Sequence, residues 1–168
     1  MQRCTVAVLV RNQYGVLNRV TSMFRRRQFN IVSLTVSETE SNEFSRITVL
    51  FDGDEANKQQ LINQLYKLPD VCSIKELDGK DDIKVELMLI KVSNKPENRD
   101  EIMAAASAFE AKTVDYCRES IVFQLTADAM RLDSFVELMR TYEIMEICRT
   151  GIVSLERGYS TLRSVTNY

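Results

Sequence analysis

The sequence predicts an α+β protein built from two tandem ferredoxin-like βαββαβ units. Three observations carry this reading. Between residues 4 and 77, apolar positions switch between strand and helix spacing in the order βαββαβ. The same order returns between residues 84 and 155, and the polar run Asp78-Gly79-Lys80-Asp81-Asp82 separates the two. In such a unit, two right-handed crossovers place four antiparallel strands in one sheet with both helices on one face. The expected divisions are 1–78, 83–158 and a polar tail over 159–168.

Cys4 to Val10 is almost continuously apolar, as a strand covered on both faces would be. Asn12 and Gly15 are turn formers, and Val16, Val20, Met23 and Phe24 then fall at helical spacing. A helix opening here directs free N–H groups at whatever binds, which suits a carboxylate or a phosphate; a plain strand-to-helix connection is the alternative. Arg25-Arg26-Arg27 complements the dipole at the helix end. Val32, Leu34 and Val36 alternate on one strand face, and Ser45, Ile47, Val49 and Phe51 on the next strand, after a polar hairpin over Glu38 to Glu43. Gly53 and Asp54 open a second helix with a stripe of Leu61, Leu65 and Leu68, which Pro69 ends. Val71 to Leu77 is the fourth strand.

In the second half, Lys84 to Val92 is a strand and Pro96 precedes a helix, with Asn98 and Glu101 as a capping box and Ile102, Ala106 and Phe109 facing the core. Thr113 to Cys117 and Ser120 to Leu125 are two more strands. Leu132, Phe135, Val136 and Met139 mark the fourth helix, and Ile144 to Leu155 the last strand. The opening loop Ser93-Asn94-Lys95-Pro96 has no glycine at the helix start, so the halves are expected to share a fold but not a ligand site.

Composition narrows the function. A chain of 168 residues with 45% hydrophobic and 27% charged residues can bury a core. A net charge of −2 and a pI near 5.4 argue against nucleic-acid or anionic-membrane binding. No apolar run reaches membrane-spanning length and no signal-peptide pattern opens the chain, so a cytoplasmic protein is expected. Histidine is absent, which excludes Ser-His-Asp and Cys-His catalysis and histidine-ligated metal. Cys4, Cys72, Cys117 and Cys148 are widely spaced in strand-like contexts and are expected to be buried thiols. An RNA-binding domain of the same element order would need a basic, aromatic sheet face, which Ser45 to Phe51 lacks. Asp81-Asp82 and Asp128 read as turn and cap residues, not as an enzyme's carboxylate pair.

The first half resembles an ACT domain, a module that senses amino acids and regulates metabolic enzymes. The resemblance rests on Asn12-x-x-Gly15-x-Leu17, Phe29-Asn30-Ile31, Ser33-Leu34-Thr35-Val36, Ser45-Arg46-Ile47-Thr48 and Lys67-Leu68-x-Asp70-Val71. The second half adds Glu86 to Val92, Arg99-Asp100-Glu101, Leu132-Asp133-x-Phe135 and Glu146-Ile147-x-Arg149-x-Gly151-x-Val153-x-Leu155-x-Arg157-Gly158. Together these resemble the regulatory small subunits of acetolactate synthase over nearly the whole chain.

The resemblance implies a non-catalytic homodimer that docks on a large catalytic subunit carrying thiamine diphosphate, Mg²⁺ and FAD. It implies activation of that partner, in branched-chain amino-acid synthesis, and feedback inhibition by valine bound between two ACT domains. Carried over by motif, Asn12, Gly15, Val16 and Leu17 of one chain would face Asn30 and Ile31 of the other. An amino-acid-sensing regulator of a different enzyme is the alternative. Amides near Gly15 to Leu17 suit the effector carboxylate, the Asn12 and Asn30 carbonyls its ammonium, and Leu17 and Ile31 its side chain. Gln28 stands where the family commonly has glycine, implying a first helix without a left-handed cap, and Arg11 where an acidic or apolar residue is usual.

Overall fold

The computed structural model describes residues 3–79 and 82–165. The element order is β1 (Arg3–Arg11), α1 (Val16–Arg26), β2 (Asn30–Glu38), β3 (Phe44–Asp52), α2 (Glu55–Leu65) and β4 (Val71–Glu76), followed by β5 (Asp82–Ser93), α3 (Arg99–Ala108), β6 (Lys112–Tyr116), β7 (Ser120–Ala127), α4 (Ala129–Met139), β8 (Ile144–Arg149) and β9 (Val153–Glu156). Both βαββαβ units form. No helix among the described residues is long and apolar enough to cross a membrane.

One compact unit runs from the N-terminus to Lys84 and takes back the chain from Ile152 onward. Its sheet has the order β2-β3-β1-β4, all antiparallel. Alternation sends Cys4, Val6, Val8 and Val10 of β1 toward the helices, where they meet Val20 and Phe24 of α1, Ile47, Val49 and Phe51 of β3, and Leu61 and Leu65 of α2. Phe24, Phe29 and Phe51 stack edge to face at about 6 Å, with centroid distances of 6.1 and 6.0 Å. Lys58 of α2 is 6% exposed and pairs with Glu55, Glu76 and Asp78. Burial works against its charge, but hydrogen bonds to Glu76 and Glu55 outweigh it and raise its pKa.

The outer face of this sheet is covered as well, which corrects the expectation of a polar tail. Leu162, in a 3₁₀ turn over Leu162–Val165, is 8% exposed and packs on Ala7, Leu9 and Leu77. Ser73 Oγ donates to Leu162 O at 2.6 Å, the Arg46 guanidinium donates to Ser154 O, and Lys75 pairs with Glu156 and Ser160. Residues 152–165 therefore strap the first sheet and group with it, while β9 also pairs with β5. The strap was hidden because its hold depends on few apolar side chains and on backbone carbonyls, neither of which leaves a periodic pattern.

The other unit spans Val85–Gly151. Its strands run β6-β7-β5-β8, and Met88, Ile90, Ile121, Phe123, Ile102, Leu132 and Phe135 fill its core. The duplication extends to irregularities. The first strand of each unit shifts register one step before its end, between Leu9 and Val10 and between Lys91 and Val92.

Other expectations are corrected locally. A bulge between Ile31 and Ser33 breaks the alternation of β2, so Val32 is 40% exposed while Ile31 and Leu34 face the core. Helix α2 stops at Leu65, short of Pro69, because the proline disfavours helical geometry before it and Lys67 and Leu68 make tighter bonds to Gln64 O and Leu65 O. Asn98 begins α3 but its side chain makes no cap bond. Gly151, at φ 80, splits the expected last strand into β8 and β9. Gln28 adopts φ 58, and Phe29 N–H reaches Phe24 O at 3.1 Å, so α1 does end in a left-handed cap. Glu110 does the same for α3, with Ala111 N–H on Ala106 O at 2.8 Å. Cys4 is buried and Cys72 half-buried, but Cys117, in the connection after β6, and Cys148, on the edge strand β8, are exposed.

Candidate effector site at the end of the first strand

Gly15 takes φ 80 and ψ −4 at the start of α1, a left-handed turn that needs no side chain. Val16 N–H closes a turn onto Gln13 O, and Arg19 N–H bonds Gly15 O. The amides of Gly15, Leu17 and Asn18 have no acceptor among the described residues, and a Cβ on Gly15 would meet nothing closer than Arg19 Nη1 at 3.5 Å. Arg19 is itself held by Asp70, with Nε at 2.8 Å and Nη2 at 2.7 Å from Oδ2. The loop is open, polar and positively biased.

Asn12 anchors the turn. Its N–H bonds Glu43 O, and its side-chain Nδ2 donates to Glu38 Oε1 and Asn42 O, both at 3.0 Å. Two acceptors at the nitrogen fix the amide's orientation and leave Oδ1 as an open acceptor. The second unit provides a built-in comparison. Asn94 follows β5 as Asn12 follows β1, its N–H bonds Glu119 O, and its Nδ2 donates to Cys117 O at 2.6 Å. There Oδ1 is filled by Arg99 Nε at 2.8 Å, and Asn94 is 3% exposed. The chain answers its own acceptor in one unit and leaves it open in the other. The missing glycine was the signal read from sequence for the second loop; the arginine five residues after Asn94 is the stronger one.

Asn30 opens β2 and donates from Nδ2 to Asp52 Oδ2 at 3.0 Å, and its Oδ1 has no donor among the described residues. Asn12 and Asn30 do not meet within one chain. Arg11 pairs with Phe44 and Asn30 with Asp52 along the same strand. That separation of eight residues is about 27 Å at the usual strand rise. Of the remaining candidates, Val16 is 3% exposed and belongs to the core, and Ile31 packs on that core too. Leu17 is 42% exposed beside the open amides.

Of the carboxylates weighed for catalysis, Asp128 accepts from Arg131 N–H and caps α4, and Asp82 accepts from Gly79 N–H. Asp81 lies outside the described residues. No cluster of three or more metal-ligating side chains occurs among the described residues.

Two family models match successive stretches of the chain, and the second continues past Gly151 to residue 158. The family model described as the AHAS small subunit-like ACT domain matches residues 6–73, and the one for the small subunit of acetolactate synthase matches residues 85–158. A probable acetolactate synthase small subunit from Archaeoglobus fulgidus is 44% identical over 92% of this chain and 96% of its own length. The acetolactate synthase small subunit of Bacillus subtilis is 40% identical over 91% of this chain and 90% of its own. A crystal structure of the Thermotoga maritima acetolactate synthase small subunit superposes with a TM-score of 0.87 at 33% identity, covering 95% of this chain and all of that one.

Proposed function

Because the chain belongs to the family of acetolactate synthase small subunits, we propose that it is a non-catalytic regulator. It docks as a homodimer on a large catalytic subunit in the cytoplasm, raises acetolactate formation and confers feedback inhibition by valine. Thiamine diphosphate, Mg²⁺ and FAD belong to the large subunit, where the thiamine ylid supplies the carbanion chemistry. This chain contributes binding and coupling.

The observation that carries the sensing role is the pair of open asparagine carbonyls at opposite ends of one sheet. A ligand ammonium that uses both needs Asn30 from a second chain. The unbonded amides of Gly15, Leu17 and Asn18 then take the carboxylate, and Leu17 flanks the side chain. Val16 supports the loop from the core and Ile31 supports β2, in place of lining the ligand.

Reconstitution with the large subunit tests this. The chain alone, supplied with all three cofactors, should form no acetolactate; turnover by it would overturn the reading. Gly15→Asp places a carboxylate beside the expected effector carboxylate. Two unit charges about 4 Å apart repel by about 4 kcal/mol at an effective dielectric of 20. The Arg19 guanidinium 3.5 Å from the new Cβ offsets part of this. A loss of valine sensitivity of at least about tenfold is expected, with activation retained. Inhibition at the wild-type valine concentration would place the site elsewhere.

A further inference from the structure

Beyond the interface site, a groove of about 750 Å³ lies at this end of the first unit, on the sheet face opposite the helices. Leu9, Phe44 and Cys72 form its floor, and Arg11, Asn12 and Glu43 line it. The Arg163 side chain from the strap forms a further wall, paired with Glu40 at 3.1 Å and lying over the Phe44 ring at 5.1 Å. Register explains the grouping: Arg11 is opposite Phe44 across the β1–β3 ladder, two residues from Leu9 on the same face.

Two of the groove's charges, those of Arg11 and Glu43, are uncommitted among the described residues. Arg11 and Glu43 are both exposed, and among the described residues neither has an oppositely charged partner, including each other. Opposite charges that share a groove without touching are complementary to a ligand that carries both. Asn12 Oδ1 adds a third group, an acceptor that in the second unit is filled by a cationic N–H from Arg99. A cationic N–H donor is therefore what the equivalent position in the first unit takes.

We propose that this groove is an amino-acid site contained within a single chain, recognising the zwitterion of an α-amino acid with a small apolar side chain. Arg11 takes the carboxylate, as a guanidinium can do with two parallel bonds. Glu43 and Asn12 Oδ1 take the ammonium, one carbon away. The apolar side chain rests on Leu9, which is 4% exposed, and on Cys72. Arg163 makes the strap part of the wall, so occupancy also holds residues 160–163 against the sheet. The site needs no second copy; it shares Asn12 Oδ1 with the interface site proposed above, so a chain fills one of the two at a time.

Equilibrium dialysis of the full chain with labelled valine, leucine and isoleucine tests it, beside the exposed substitutions Arg11→Gln and Glu43→Gln. Each should weaken binding of at least one of the three by about tenfold or more, the scale of a lost charge-assisted bond. Amide exchange over residues 160–163 should slow on binding to the wild-type chain and not to Arg11→Gln. Valinamide and N-acetylvaline, each missing one charge, should not compete. Wild-type affinity and stoichiometry in both variants would overturn the proposal, as would no binding of any of the three. Gly15→Asp separates the two sites. If it abolishes all binding while Arg11→Gln changes nothing, the interface site stands and the groove falls. Arg11-dependent binding that survives in Gly15→Asp supports the groove whatever becomes of the interface.

Discussion

Asn12 and Asn94 occupy the same place in two copies of one motif and have opposite environments, so their substitution should have opposite consequences. Asn94→Ala removes a buried side chain that satisfies Cys117 O and holds Arg99. A loss of about 1–3 kcal/mol in a urea melt of the second unit is expected. Asn12→Ala exposes its partners to water and should cost about 1 kcal/mol or less, but should weaken effector binding, as should Asn30→Ala. A mixed dimer with one of each substitution should keep one intact interface site, and a folded mixed dimer with none would count against that arrangement. The loop motif was legible in the sequence because glycine and asparagine announce a turn. The open state of one carbonyl was not, because it depends on whether a distant arginine reaches it.

Among the elements, the end of α1 offers the simplest change. Gln28 sits in left-handed geometry, which costs a residue with a Cβ about 1–2 kcal/mol. Gln28→Gly removes that cost, loses part of the gain to greater freedom in the unfolded chain, and should stabilise the first unit by about 0.5–1 kcal/mol. Thermal melts should show a rise of a few degrees, and an unchanged or lower midpoint would mean that the cap is held by something other than its backbone. Sequence pattern placed the strands and helices well where burial is one-sided, as in α1 with Val16, Val20, Met23 and Phe24. It erred where the backbone deviates without changing composition: at the β2 bulge beside Val32, at the Gly151 break, and in the two left-handed caps that lack glycine.

For the molecule as a whole, the strap ties residues 152–165 to the first sheet, and its electrostatic pin has a definite pH sign. Lys75, and then the Ser160 hydroxyl, hold the Glu156 carboxyl below the usual glutamate range. A depressed folded-state pKa contributes stability above about pH 4.3, the unfolded value, and loses it as pH falls through the folded value. Amide exchange over residues 153–163, corrected for intrinsic rates, should therefore accelerate below about pH 4 in the wild-type chain. Glu156→Gln should remove that dependence; an equal response in both chains would assign it to another group. Leu162→Asp should release the strap and expose the Ala7–Leu9–Leu77 surface to a hydrophobic dye, with the second unit still cooperative in its melt.

Because the second unit is inserted between β4 and the strap, the first unit's sequence is interrupted by another complete fold. A ribosome delivers Arg3 through Glu76 early, but Leu162 only after the whole of residues 85–151. Throughout that interval the outer face of the first sheet stands open to water, while residues 85–151 have everything their own core requires. The unit that begins first is therefore finished last, reversing the usual N-terminal-first order of domain maturation. Released chains truncated shortly before residue 162 should carry a sealed second unit and an unsealed first one, and that truncated species is where chaperone capture should concentrate.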